Sequence, residues 1–285
     1  MSKKLIRFDW AIKKMLRHKA NFDILEGFLS ELLRFDVTIQ SILESESNKQ
    51  DEYDKYNRVD ILVKSENNEL MLVEVQQDSE IDYFQRMLYG VSKLVAEYIK
   101  QGEAYGTIKK IYSVNIVYFG LGQGKDYVYE YKGDFVGLHK NDILLPTNLQ
   151  KQTYNIEKIA DIFPKYFLLK INNFDNIAEN SLDEWIYFLK NSEVKDEFRA
   201  KGLDKVKEKL LYESLSDEDK KIYNRSIENR RIEESVDYTK ELEATHKATV
   251  KIAKNLILIG LDNDTIAKGT GLTVEQIEEL RHTKE

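Results

Sequence analysis

The sequence predicts an α/β protein: a mixed β-sheet between helices, followed by a helical tail. Three observations predict it. Residues 57–64 and 69–76 are runs of β-branched and long apolar side chains, joined by the turn formers Ser65-Glu66-Asn67-Asn68, which is a hairpin pattern. Residues 83–100 then carry Phe84, Met87, Leu88, Val91, Leu94 and Tyr98 at three- and four-residue spacing, ahead of the nearly unbroken strand pattern of 111–119. Strand, helix and strand in that order make a βαβ unit with parallel strands and a right-handed crossover. From residue 192 the character changes to densely charged helical sequence.

The first elements are helical. Residues 9–18 read as one helix, and 22–33 as a second with Phe22, Leu25, Phe28, Leu29 and Leu32 on one stripe. The net charge of −7 argues against a nucleic-acid partner, but between Lys3 and Lys19 seven bases face Asp9 alone. Such a basic end, with Lys13, Lys14 and Arg17, can meet phosphates while acids elsewhere maintain solubility; a solvated helix face is the alternative. Residues 44–56 are acidic and polar, a loop or strand edge rather than a metal cluster.

The hairpin contains an anomaly. Asp60 and Glu74 each sit inside an apolar run, where a carboxylate is costly unless it meets a cation or rests at an open rim. A five-residue loop over 65–69 sets Lys64 opposite Leu70 and Asp60 opposite Glu74, with Gln76 on the same face. A two-residue turn at Asn67-Asn68 sets Asp60 opposite Val75 and puts the acids on opposite faces. Both registers stay open. Beyond the hairpin, the helix at 83–100 has Arg86, Lys93 and Lys100 on its polar side. Gly120, Gly122 and Gly124 open no helix and read as a turn, not a nucleotide loop. Residues 127–131 and 166–171 read as further strands, with Pro164 marking a boundary. The four histidines lack ligand spacing, and with no cysteine there is neither a disulfide framework nor a thiolate site.

The tail reads as an exposed connecting helix over 217–248, capped by Ser216, then a short helix over 250–259 closed by Gly260. Asp262 caps a helix at 265–268, and Thr273 with Gln276 forms a capping box for 274–281. This resembles a helix-turn-helix, yet the final helix has three Glu against one Arg, which a phosphate backbone would repel. The pattern favours a packing or oligomerisation module, with Ile277 and Leu280 left to bury. The expected division is a domain at 1–191, a charged connector at 192–248 and a small helical module at 249–285. No apolar run is long enough to span a bilayer or act as a signal core, so a soluble cytoplasmic protein without a membrane partner is expected.

Taken in order, these motifs resemble the PD-(D/E)xK nuclease superfamily, and within it the recombination-promoting nucleases, also called PD-(D/E)xK family transposases. Phe8-Asp9-Trp10-Ala11-Ile12-Lys13-Lys14 resembles the family's first helix and Arg58-Val59-Asp60 its first acidic motif. Glu74-Val75-Gln76 resembles an ExQ form of its ExK motif, and Arg86-Met87-Leu88-Tyr89 the helix after the site. Leu182-Asp183-Glu184-Trp185 resembles the closing segment. The resemblance implies a restriction-endonuclease-like core and Mg²⁺- or Mn²⁺-dependent hydrolysis of DNA, in recombination, transposition or defence. Asp60, Glu74 and the Val75 carbonyl would hold the metal, and Gln76 would orient water without supplying the positive charge of the commoner Lys. Arg86 and Lys93 are candidates to face the phosphate, Lys13 to replace the missing Lys, and Asp9 to lie near the site. DNA is the implied partner, and a homo-oligomer through the C-terminal helices is the second expectation. The alternative function is a catalytically silent nuclease fold acting as a nucleic-acid-binding or oligomeric scaffold.

Overall fold

The computed structural model describes residues 5–14, 18–43, 61–99 and 104–282, the side chains of 12–14 excepted. Two compact units divide it, residues 1–215 and 216–285. The first holds a six-stranded mixed sheet. Its strands are β1 (Ile39–Leu43), β2 (Ile61–Ser65), β3 (Leu70–Gln76), β4 (Ile111–Val117), β5 (Val128–Glu130) and β6 (Lys165–Lys170), in the order β1-β2-β3-β4-β6-β5. The helices of this unit are α1 (Phe8–Lys14), α2 (Phe22–Leu33), α3 (Tyr83–Tyr98), α4 (Asn148–Tyr154), α5 (Ser181–Asn191) and α6 (Leu203–Lys209).

The hairpin takes the first of the two registers. Lys64 pairs with Leu70, Leu62 with Leu72 and Ile61 with Val73. The turn explains why. Ser65 N donates to Glu69 O at 3.0 Å, Asn68 N donates to Ser65 O at 3.0 Å, and Asn68 adopts φ 64. Asparagine tolerates that left-handed conformation better than most residues. Asp60 lies outside the described residues, as do 44–59.

The βαβ reading holds: β3 and β4 are parallel, and Leu70 to Gln76 pair one-to-one with Ile111 to Val117. α3 covers one face. Its Val91 and Leu94 pack with Leu62, Leu70, Leu72 and Ile111, and its Tyr83 and Met87 with Val117, Leu121 and Leu168. The other face carries Met71, Val73, Val75, Val114 and Ile116, all buried. Elsewhere in the unit Phe8, Phe28, Trp185 and Phe188 join α1, α2 and α5 through ring contacts of 5.5–6.4 Å.

Several expectations shift. β1 has no clear strand pattern in sequence, because the alternation in 39–43 is weak; it is only partly buried beyond Ile39 and pairs irregularly with β2. Residues 192–215, assigned from sequence to the charged connector, belong to the first unit: Leu203, Val206 and Leu210 are buried, and Ile6 N donates to Leu210 O at 2.7 Å. In the second unit the expected break near 249 is absent. α7 runs unbroken over Asp217–Leu258, a stretch with no Gly or Pro to interrupt it. α8 (Asn263–Thr270) and α9 (Val274–His282) follow, with the expected caps at Asp262 and at Thr273 with Gln276. Gly260 ends α7 at φ 86.

Gly27 of α2 lies against the backbone of Lys201 and Gly202. A Cβ there would meet Lys201 O at 2.3 Å and Gly202 Cα at 2.7 Å. Neither can swing aside as a side chain would. Gly27→Ala should therefore destabilise the fold by about 2 kcal/mol despite alanine's better helix propensity. Urea unfolding measures this, and an unchanged or raised midpoint would refute it.

Candidate functional site

Glu74 is the one acidic side chain on β3, and burial leaves it 6% exposed. It stands on the α3 face of the sheet, in the same cross-strand row as Asn115, Leu168 and Tyr129. Gln76 occupies the next row, two residues on. The strand therefore presents Glu74 and Gln76 on one face, and between them Val75 buries its side chain on the other. Gln76 O accepts from Tyr118 N of the strand extending β4. Carbonyls alternate along a strand, so that of Val75 points away from β4, toward the β2 side.

The crossover helix brings the cation. Arg86, in the first turns of α3, donates through Nη1 to Glu80 Oε1 at 2.7 Å, and Gln76 Nε2 donates to the same oxygen at 2.9 Å. Burial by itself would lower the Arg86 pKa. The charges of Glu74 and Glu80 outweigh that and raise its pKa above the ordinary guanidinium range. Arg86 Nε is buried without a hydrogen-bond partner among the described residues. Beneath the site Tyr83 Oη donates to Asn115 Oδ1 at 3.4 Å, and Asn115 Nδ2 donates to Ser113 Oγ and Phe167 O. These are neutral groups, so among the described residues the charges that act on Arg86 are those of Glu74 and Glu80, with Tyr83 adding to them.

The structure thus joins Glu74, Gln76 and Arg86. It places Asp9 nearby: Asp9 accepts both Arg7 nitrogens at 3.0 Å and Gln77 Nε2 at 3.3 Å, one residue beyond Gln76. Lys93 is half-buried two turns farther along α3, flanked by Val91 and Leu94, which pack at the Leu70 and Ile111 end of the strands. Arg17 and Asp60 lie outside the described residues, as do the side chains of Lys13 and Lys14. Sequence reasoning missed Glu80, Tyr83 and Asn115. Asn115 carries the signal used for Glu74, a polar residue inside an apolar run, and the same test would have found it. Glu80 carries none, because its role depends on how the 77–82 loop folds back.

Among the described residues no group of three or more His, Asp or Glu side chains gathers to hold a metal ion. What is described fits part of a hard-cation site: one buried carboxylate, with a backbone carbonyl and an amide beside it on the same strand end.

The comparisons bear on this geometry. Residues 6–238 match the family model described as PD-(D/E)XK nuclease family transposase. The chain belongs to that family. Residues 246–282 match the C-terminal HTH domain of the Rpn/YhgA-like nuclease family. No curated protein and no solved structure matches the chain significantly.

The second match bears on the tail. Ala253, Ile266, Leu272 and Ile277 form one buried cluster with Leu256 and Leu280 packed against it, and residues 271–273 make the turn between α8 and α9. Ile277 and Leu280 are therefore satisfied inside the module, which removes the motive given above for an oligomer through these helices. The nuclease-family HTH assignment turns the reading toward DNA contact. The acidic face is real all the same: Glu275, Glu278 and Glu279 are exposed, while Arg281 is held by Asn263 Oδ1 and Leu261 O. No helix among the described residues is long and apolar enough to cross a membrane.

Arg86→Met would leave Glu74 and Glu80 without their shared cation. A cost of about 1–3 kcal/mol at neutral pH is expected, discounted from a fully buried pair because Glu80 is 24% exposed. The raised Arg86 pKa means that its contribution is present throughout the neutral range and is lost only as pH rises through the guanidinium range. An Arg86→Met protein with the wild-type midpoint in denaturant melts at pH 7 would contradict this pairing.

Proposed function

We propose that the protein is a metal-dependent DNA endonuclease. The observation that carries this reading is the buried Glu74 whose charge acts on the half-buried, charged Arg86, in a chain of the PD-(D/E)XK nuclease family. The register that pairs Lys64 with Leu70 is the one in which the sequence reading sets Asp60 opposite Glu74. Asp60, Glu74 and the Val75 carbonyl would then hold Mg²⁺ or Mn²⁺, as oxygen donors suit hard cations. Such an ion supplies an activated water and neutralises charge on the scissile phosphate.

The chain's own residues do the rest. Gln76, with its amide nitrogen committed to Glu80, offers its carbonyl oxygen to orient the attacking water. Arg86 supplies the positive charge that Gln76 lacks. Its Nε, buried and without a hydrogen-bond partner among the described residues, would donate to a phosphate oxygen if the groups covering it move aside. Asp9 stands as an accessory acid beside Gln77. Lys13, Lys14 and Arg17 hold the DNA backbone, with Lys93 as a more distant contact and the HTH unit as a second point of DNA contact. The role in recombination, transposition or defence follows from what is cut. An oligomer through the C-terminal helices would take an exposed part of α7, rather than Ile277 or Leu280, as its seam.

Nicking of supercoiled DNA tests the reading. Wild-type protein should nick with Mg²⁺ and stop with EDTA, and Asp60→Asn and Glu74→Gln should fall to background. Arg86→Met should lose roughly 10²–10³-fold. Nicking that survives EDTA or Asp60→Asn would sink the metal-nuclease reading. Protein whose melting temperature rises with Mg²⁺ but which nicks nothing would be the catalytically silent scaffold.

The basic N-terminal end has its own test. Replacing Lys13, Lys14 and Arg17 by Ala should make the slope of log affinity against log salt shallower by about 2–3, since each phosphate contact contributes about 0.9. An unchanged slope would leave this end as solvated surface.

A further inference from the structure

Residues 77–82 join β3 to α3, and the ends of this segment are fixed more firmly than its middle. Gln76 closes β3, and the fully buried Tyr83 opens α3. Between them Asp78, Ser79, Ile81 and Asp82 are exposed, Ile81 at 99%. An isoleucine left in water does nothing to hold a loop. Polar side chains tie the segment down instead. Gln77 Nε2 donates to Asp9 Oδ2 at 3.3 Å, and Glu80 is bound from two sides.

One oxygen of Glu80 takes both bonds. Oε1 accepts from Gln76 Nε2 at 2.9 Å and from Arg86 Nη1 at 2.7 Å. An anionic oxygen between an amide and a guanidinium has the charge and the acceptor geometry of a phosphate oxygen. The surroundings are also overcharged. Glu74 and Glu80 both act on the one guanidinium, so a phosphate that joined them would bring a third negative charge to a single cation. Arg86 is incompletely used as well, since its Nε is buried with no hydrogen-bond partner among the described residues. A buried donor in that state is costly, and it points to a partner that arrives later. A phosphodiester brings a second free oxygen where Glu80 uses one.

We propose that Glu80 is a latch: its carboxylate occupies the place of a DNA phosphate between Gln76 and Arg86, and the arriving phosphate displaces it as the 77–82 segment swings outward. The proposal rests on Arg86 being a phosphate contact, as read above. Opening is cheap. Ile81 is already in water and the Glu80 side chain is 24% exposed, so the segment uncovers no buried apolar side chain of its own. The released Gln76 amide nitrogen turns to the phosphate, and its carbonyl oxygen stays with the water. In the closed state the same contacts shield Arg86 from other anions, so the site opens for a ligand that binds more strongly than Glu80 does.

Binding of a fluorescent DNA duplex to the full chain in EDTA, read by anisotropy, tests this apart from cleavage. Glu80→Gln keeps the shape of the side chain and removes its charge. It should bind about tenfold more tightly than wild type, because no carboxylate has to be displaced first. Glu80→Ala should do the same. Asp78→Asn removes an equal charge from an exposed position in the same segment, and should gain only about twofold, since solvent and salt screen it. The chain has no cysteine, so a nitroxide on Ile81→Cys reports on the segment alone. Its mobility should rise when DNA binds, and should be high in Glu80→Gln protein before DNA is added. Glu80 variants that bind no better than Asp78→Asn, or a label whose mobility DNA does not change, would overturn the latch; wild-type nicking with Mg²⁺ would then still support the nuclease reading. Tighter binding by the Glu80 variants of a protein that never nicks would keep the latch and defeat the nuclease. DNA bound by none of these proteins would overturn both.

Discussion

A carboxylate at Glu74, in an inner strand and nearly out of water, requires a cation, and this requirement organises the α3 face of the sheet. Arg86 answers it from the crossover helix, but Arg86 is itself withdrawn from solvent and carries its own desolvation penalty. Glu80 shares that load, and Gln76 donates to the same Glu80 oxygen, so strand, loop and helix are tied at one atom. The result is a charged cluster whose members each depend on another. Such a cluster contributes little to net stability compared with an apolar core, and its retention is better understood through what it can bind.

Much of this was legible in sequence, for reasons that are local. The hairpin was written in its β-branched runs and in the Asn68 turn, and α3 in its apolar spacing. The caps at Ser216, Asp262 and Thr273 each need only four consecutive residues, and all three are present. Glu74 stood out because a charge in an apolar run is expensive wherever it occurs. What stayed hidden depends on distant pairing. Nothing local says that β6 inserts between β4 and β5, or that Glu80 folds back onto Gln76. Arg86 was visible as a base on a helix, but its field on Glu74 follows from how the crossover packs against the strand.

The C-terminal unit shows the limit of reading charge without burial. Three glutamates on α9 argued for packing against another chain, with Ile277 and Leu280 supplying the contact. The structure uses those two residues to join α9 to α7 and α8, and the acids are the face left over. A helix of nine residues has only so many positions, and once its apolar ones are spent internally the remainder define what it can meet.

The strand order β4-β6-β5 carries a consequence for how the chain folds. The hairpin, α3 and β4 are neighbours in sequence and can form together with short loops to close. β5 cannot join them, because its partner in the sheet is made later: Val128 pairs with Leu169, some forty residues on. Until β6 docks on β4, everything between Val117 and Lys165 is an unanchored loop. That loop contains Leu138, Leu144 and Leu145, so the stretch with many exposed apolar side chains waits on β6 to be held in place. During synthesis this interval is when the chain is most open to aggregation, and assistance from a chaperone would matter most there.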